Sequence, residues 1–470
     1  MITPIVNFPQ IVEHFAHFYE PVFSEDAFIQ FKRYISGLLL AENKSIDGIN
    51  RLFVEERRNQ SSLNRLLTEY PWSREKLNEA RLKMLDSIPG TRIKRKTGVL
   101  SLDDTLLTHY GQKFEGIALL WDHVNNRYVW AHNLVNLHYS DAYTDYPIDY
   151  RLWRPPDLEK LEAGLPAAGV SLRQSKFVLK ETDPKKWRQY LLGVWQRHQG
   201  KPAVAALHQS KLLLGKQMIQ TWVDKHPGLE LPVTFDSWYT QPAFCRFLTD
   251  IVGIPYVGTL NASDKLLLKS GEKSLGEYAK QLKEEHKTAI KQGKQPVFKP
   301  ITIRYKGTKE QYFSYCRTHR IPKFGKQRLV INFRKHDLAD KPAFHICNRL
   351  RWQAKGITTI RRHRWPVEVY YEEGKAEGLD QYQLRDFEGI SRHIAFVTVV
   401  YSLLRAAQHD TVLRNNLQRQ LKFVLEGTVV FWRRATAAEN LWNLAVLISS
   451  GLLAGKHLDL ILAPLLQSML

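Results

Sequence analysis

The sequence predicts an α/β protein: a mixed sheet flanked by helices, led in by a helical N-terminal module and closed by a helical C-terminus. Three observations lead there. Apolar runs at 231–235 and 254–260 bracket a helical stretch at 243–251, and strand–helix–strand alternation points to parallel strands. Upstream, residues 97–107, 114–122 and 127–137 read as three strands in succession, a meander-like start. The 470 residues are 44% hydrophobic and 11% aromatic, enough to bury a sizeable core, which excludes wholesale disorder and implies several domains.

Residues 24–88 carry apolar side chains at three- and four-residue spacing, from Phe28, Phe31 and Tyr34 to Ile35, Leu38 and Leu39, so they read as helices. Further helices start after Ser45 and in the Asn59–Ser62 stretch, where a serine can cap. Arg51, Arg57, Arg58 and Arg65 line the short links and suit a DNA-binding helical module, although a solvated basic bundle has the same pattern. The texture changes at Pro89-Gly90, and the run containing Val99, Leu100, Leu102, Leu106 and Leu107 reads as a buried strand interrupted by Asp103-Asp104. Residues 138–203, rich in Tyr, Pro, Lys and Asp, show only a partial helix at 185–197, and a clearer one spans 204–225. Lysines crowd 262–294, and strand-like runs follow at 297–305 and 329–332, so 262–345 reads as a basic β-rich insertion. Helix resumes near Asn348, and 394–404 reads as a buried helix. These readings divide the chain into 1–95, 96–261, 262–345, 346–420 and 421–470.

With 68 Lys and Arg against 47 Asp and Glu, the formal charge is +21, and a polyanion is the expected partner; nucleic acid leads that class. Cys245, Cys316 and Cys347 are too few and scattered for a disulfide framework or a cysteine zinc site. The start Met1-Ile2-Thr3-Pro4 lacks the basic lead and apolar core of a signal peptide, so a cytoplasmic protein, nucleoid-associated when on DNA, is expected. Neither 394–404 nor the interrupted apolar stretch 441–470 suits a bilayer span, so no membrane partner is expected.

Within so basic a chain, three acids stand out. Asp104 ends the first apolar strand, Asp236 ends the strand at 231–235, and Glu368 lies early in a helix after Arg364-Trp365-Pro366. Carboxylates at strand ends of a sheet can converge with one from a nearby helix, and three such groups suit two Mg²⁺ or Mn²⁺ ions and phosphodiester chemistry. Asp103 is an alternative to Asp104, because adjacent strand residues face opposite sides. Glu368 and Lys375 fall on one helical face, at about 100° per residue, and Arg364 sits at the helix edge; Glu372 is a rival ligand.

These residues resemble the insertion-sequence DDE transposases, most nearly the group named for insertion sequence seven-hundred-one within the superfamily of insertion sequence four. Leu102-Asp103-Asp104-Thr105 looks like the first-acid motif and Phe235-Asp236-Ser237 like the second. Arg364, Glu368 and Lys375 match the Arg, Glu and Lys of the Tyr-Arg-Glu-Lys signature, with Arg361 where the Tyr would stand. Gly378-Leu379-Asp380, Gln383-Leu384-Arg385 and Arg392-His393 look like its continuation. The resemblance implies an RNase H-like catalytic domain in two parts, split by the insertion, with Asp104, Asp236 and Glu368 as metal ligands for two Mg²⁺ ions. It also implies cut-and-paste transposition: nicking at terminal inverted repeats, strand transfer, and a homodimer on double-stranded DNA, an accessory protein being left open. Arg364, Lys375, Arg361, Arg57, Arg58 and Arg65 are the expected DNA contacts. Trp365 offers a ring for base stacking or packs into the core at the helix start.

Overall fold

Five helices open the chain: α1 (Gln10–Tyr19), α2 (Glu25–Leu40), α3 (Ile46–Leu52), α4 (Gln60–Thr68) and α5 (Arg74–Ser87). The computed structural model describes residues 3–54, 58–422 and 427–469. Side-chain caps set the helix starts: Ser45 accepts from the Gly48 amide, Asn59 from Ser61 and Ser73 from Lys76, each satisfying an orphan N–H of a first turn. Phe31, Tyr34, Leu38, Leu66 and Leu85 belong to the same continuous apolar core as the sheet, so the N-terminal helices are built into the body of the protein.

The sheet begins with β1 (Val99–Thr108), β2 (Ala118–Asp122), β3 (Arg127–Ser140) and β4 (Asp145–Trp153). β1 pairs antiparallel with β3, and β3 also carries β2 and β4. The sequence reading missed β4. Pro147 has no amide to donate, and it pairs opposite His138, where the register shifts, a place where a strand tolerates proline.

Next come α6 (Leu158–Ala167), α7 (Leu179–Thr182), α8 (Pro184–His198) and α9 (Pro202–Ala205), where only a partial helix was expected. They enclose an apolar cluster of their own, with Leu161, Leu165, Trp187, Leu191 and Trp195 at its centre. α10 (Lys211–Lys225) follows; the helix expected over 204–225 is interrupted before Ser210, which caps α10 by accepting from the Leu213 amide. β5 (Val233–Phe235), α11 (Pro242–Arg246) and β6 (Tyr256–Leu260) complete the strand–helix–strand unit, and β5 lies parallel to both β1 and β6 as expected.

The segment after β6 contains β7 (Lys265–Leu268), β8 (Gly271–Ser274), α12 (Leu275–Lys291), β9 (Lys299–Tyr305), β10 (Thr308–Ile321), β11 (Gly325–Phe333) and β12 (Ala343–Cys347). Much of the lysine-rich stretch is therefore helix, started by a reciprocal capping box between Ser274 and Glu277. β12 pairs antiparallel with β6, so the insertion extends the main sheet to 12 strands.

The chain ends in helices α13 (Ala354–Arg362), α14 (Trp365–Ala376), α15 (Phe387–His409), α16 (Thr411–Leu421), α17 (Val429–Leu453) and α18 (Leu458–Met469). α15 is the one described helix long and apolar enough to cross a membrane, and 94% of its apolar window is buried inside the fold.

One buried carboxylate ties three regions together. Asp145, at the start of β4, accepts from Arg405 Nη2 at 3.0 Å and Tyr401 OH at 2.8 Å on α15, and from Lys306 Nζ at 2.7 Å in the β9–β10 turn. Burial opposes its charge, but Arg405, His138 and Lys306 outweigh burial and hold its carboxyl well below the usual range. A depressed carboxyl contributes stability above its unfolded pKa of about 3.9, and that stability is lost as pH falls through the folded value. Asp145→Asn is expected to cost about 3–5 kcal/mol at pH 7, because it leaves Arg405 buried without its partner. Urea denaturation should show the deficit shrinking as both proteins are taken well below pH 4; a deficit unchanged down to pH 2 contradicts this account.

Candidate active site

The junction between α13 and α14 positions the site. Ser101 on β1 and Ser140 on β3 both donate to the His363 carbonyl, at 2.8 and 3.2 Å, and Ser140 Oγ also meets His363 Nδ1 at 2.9 Å. Pro366 in the first turn of α14 needs no amide partner and presets the helical φ, so the new helix starts directly beyond this clamp. Arg364 thereby lies against β1. Its Nη1 donates to Asp103 Oδ2 at 2.5 Å and its Nη2 to Glu368 Oε1 one turn along.

The expectation that Asp104 faces Glu368 is not met. Leu102, which shares a strand face with Asp104, packs against α10 at Gly215, where an added Cβ would stand 2.7 Å from Leu102 Cδ2. Asp104 accordingly takes partners from the α10 side of β1: Lys211 Nζ at 2.8 Å, Asn133 Nδ2 at 2.6 Å and Tyr239 OH at 2.8 Å. Ser101 and Asp103 occupy the opposite face, towards α14. Asp103, not Asp104, is the member of the pair joined to Glu368 through Arg364.

Asp236, just beyond β5, completes the acidic group. Its Oδ1 accepts from the amides of Trp238 and Tyr239, at 3.0 and 3.1 Å, which fixes the carboxylate in a tight turn. Burial pushes the Asp103 carboxyl up to about 7; Arg364 opposes that rise, and Asp104 and Asp236 add to it. Burial also works against the charge of Arg364, yet Asp103 and Glu368 raise its pKa overall. Tyr371, one turn beyond Glu368, has a hydroxyl without a hydrogen-bond partner, and after burial its main perturbers are Asp103 and Asp104. Among the described residues no three His, Cys, Asp or Glu side chains cluster tightly enough to hold a metal ion as they stand.

A cleft of about 920 Å³ opens over the acids, lined by Asp103, Asp104, Asp236, Lys211, Lys375 and Trp238 among others. Lys375 lines this cleft from the last turn of α14, whereas Glu368 in the first turn of the same helix is not among its lining residues. The rival Glu372 is exposed on α14. Trp365 is 49% exposed, which removes the core-packing reading, and Arg362 lies 5.7 Å above its ring. Arg361 lines a second cavity of about 250 Å³ with Arg334, Lys341, Arg362 and Arg364; its Nε lacks a partner, and burial together with Arg364 pushes its pKa down to about 10. Arg58 and Arg65 are exposed beside and on α4, without hydrogen bonds to the cleft residues, and Arg57 lies outside the described residues.

Sequence reasoning missed Lys211, Asn133, Tyr239 and Trp238. Trp238 and Tyr239 follow Asp236 directly, and their proximity was the available signal. The Trp238 ring is 43% exposed and carries Lys211 Nζ at 4.2 Å from its centroid. Nothing in the sequence singles out Asn133 or Lys211, because strand pairing and the α10 packing bring them to Asp104.

A family model described as DDE superfamily endonuclease matches residues 17–281, a span that includes Asp103, Asp104 and Asp236 and ends before Glu368. No curated protein matches the sequence. Among solved structures, the cryo-EM synaptic complex of piggyBac transposase with hairpin DNA is similar at a TM-score of 0.38 and 11% identity, covering 90% of this chain and 73% of that one.

Arg364 neutralises two carboxylates at once, so removing it should be felt in stability. Arg364→Gln is expected to lose about 1–3 kcal/mol at pH 8, above the raised Asp103 carboxyl, because it removes the partner of both Asp103 and Glu368. Because the Asp103 carboxyl is raised, its ionisation destabilises the fold as pH climbs from about 4 through 7, and the deficit of the variant should be smaller at pH 5. Equal deficits at pH 5 and pH 8 in denaturant melts would contradict the shared-cation geometry.

Proposed function

The chain belongs to the DDE superfamily endonuclease family, and from that premise we propose that it is a DNA transposase of the cut-and-paste kind, acting at the terminal inverted repeats of an insertion sequence. The group of insertion sequence seven-hundred-one remains our closest assignment by motif. The observation that carries the proposal is the Arg364 bridge between Asp103 and Glu368, whose Asp103 end lines a cleft together with Asp236, Lys211 and Lys375. Supporting it, β3, β1, β5 and β6 run antiparallel, then parallel and parallel, the strand arrangement expected of an RNase H-like domain.

The donor set fits Mg²⁺ or Mn²⁺. Asp103, Asp236 and Glu368 offer only carboxylate oxygens, and burial first, then Asp104 and Asp236, oppose the charge of Asp103, which a divalent cation taking the place of Arg364 would offset. Such ions supply Lewis-acid polarisation of the phosphodiester and activation of the attacking water or 3′-hydroxyl. The chain's own residues do the rest. Arg364, freed from the carboxylates, pairs with a phosphate in the fork geometry of a guanidinium. Lys211 and Lys375, which line the cleft, hold flanking phosphates, and the exposed rings of Trp238 in the cleft and Trp365 at the second cavity are those against which unpaired bases stack. Asp104 fixes Lys211 rather than binding metal.

Two ends must be held together, and we assign this to a homodimer on DNA. The second half of α17 and α18 leave Leu441, Trp442, Val446, Leu453 and Leu460 exposed, the kind of surface a second protomer covers.

Asp103→Ala, Asp236→Ala and Glu368→Ala should each reduce Mg²⁺-dependent cleavage of a terminal-repeat duplex below detection while leaving duplex binding intact. Asp104→Asn should retain activity within about 10–100-fold of wild type, as befits a residue that positions another. An active Asp103→Ala beside an inactive Asp104→Asn would return the metal-binding role to Asp104. Binding should also weaken steeply with salt, as counterion release from several phosphates requires; an affinity flat between 50 and 200 mM salt would contradict the use of the +21 charge.

A further inference from the structure

We propose that α8 is a DNA-reading helix that lies in the major groove of a duplex whose path leads into the cleft. The inference rests on the reading of the chain as a DNA-cleaving enzyme and adds to it a recognition surface between the first two acids in sequence, apart from the N-terminal helices and the basic insertion.

Three observations carry it. The unit formed by α6–α9 has its own apolar core, so it can present a surface without serving the packing of the main body. Both of its tethers leave the wall of the cleft. Trp153 lines the cleft just before the unit begins, its ring lies 6.3 Å from that of His208 at the unit's end, and Lys211 follows directly, bonded to Asp104. A duplex held by this unit is therefore held beside the acids.

The third observation is the face of α8 itself. Trp187, Leu191, Val194 and Trp195 turn inward, and the exposed polar positions are Lys185, Lys186, Arg188, Gln189, Gln196, Arg197 and His198, with no acid among them. Lys186 is paired with Asp183, while Lys185, Arg188 and Arg197 have no ion-pair partner among the described residues. Four cations suit phosphates on either side of a groove, and two glutamines suit base edges. Gly193 lies half-buried at the edge of this surface, beside Arg197; an added Cβ there would meet nothing nearer than Arg197 Nη1 at 3.6 Å, so the helix backbone can approach a partner there. At 15 residues α8 is about 22 Å long, a length a major groove accepts. Across residues 157–208, nine Lys and Arg against five Asp and Glu leave a net +4, of the sign the partner needs.

The test uses the full-length protein and two probes: a random-sequence 30-bp DNA duplex and a randomised duplex library from which preferred sites are selected. Gly193→Glu should melt no lower than wild type, since glycine is the poorer helix former, yet bind the duplex at least 10-fold more weakly. Lys185→Ala/Arg188→Ala/Arg197→Ala should flatten the salt dependence by about one unit of slope for each phosphate left without its cation. Gln189→Ala/Gln196→Ala should blunt the preference for selected sites over random duplex while changing random-duplex affinity less than threefold. If the Gly193 and triple-alanine variants bind as wild type does, the inference falls and the functional proposal stands. If wild-type protein binds neither probe, both fall. An RNA duplex competing as well as DNA would also overturn it, because the A-form major groove is too narrow for a helix.

Discussion

Adjacent side chains on a strand leave by opposite faces, and the site is organised around that constraint at Asp103-Asp104. Two carboxylates side by side on a largely buried strand cannot share one counter-charge, so each recruits its own: Arg364 from α14 on one face and Lys211 from α10 on the other. These two pairings fasten the helices on both sides of the sheet to the same two residues of β1. They also divide the labour, because the face that receives Arg364 is the face that receives Glu368. Asp103 is thereby grouped with Glu368, and Asp104 becomes the anchor of a cleft lysine.

The helix bearing Glu368 is held from further sides. His363 is clamped to β1 and β3 by Ser101 and Ser140, and Arg362 donates to Glu310 on β10 at 2.9 Å. Lys306, in the turn before β10, reaches the buried Asp145. The insertion is thus bolted to the body of the fold at the segment that presents Arg361, Arg364 and Trp365. At the far end of α14, Glu377 is fully buried between Lys44 of the N-terminal region and Arg433 of α17; burial pushes its carboxyl up to about 7 against the pull of both cations. One helix therefore links the acidic site to the N-terminal helices and to the C-terminal pair whose outer surface is left apolar. Buried charge networks of this kind define a geometry more than they stabilise it, since desolvation offsets most of the Coulomb gain.

Charge is distributed to match. In the cleft Asp103 is held by Arg364, Asp104 by Lys211 and Asp236 by backbone amides, whereas α8 exposes Lys185, Arg188 and Arg197 and the second cavity has Arg334 and Lys341 at its rim. Arg364 lines the second cavity, and Lys211 and Lys375 line the cleft, so cations flank the acidic group from both openings.

Local signals in the chain were enough to determine the strand–helix–strand unit around Asp236, the buried character of β1, the proline-started helix with Glu368 and Lys375 on one face, and the basic charge. Those features depend on periodicity of 2 or 3.6 residues, on caps and on proline, all of which act within a few residues. Which of Asp103 and Asp104 faces Arg364 was beyond such signals, because both faces of β1 are covered and alternation alone does not say which face meets α14. β4 stayed hidden because its strand character comes from pairing with β3, not from its own Asp- and Pro-bearing sequence. The α6–α9 unit stayed hidden because its core joins Leu161 and Leu165 to Trp187, Leu191 and Trp195 across a stretch too polar and too interrupted to read as one helix. Only the tertiary structure decided these, since each depends on which distant residues supply the missing hydrogen bonds, counter-charges and apolar surface.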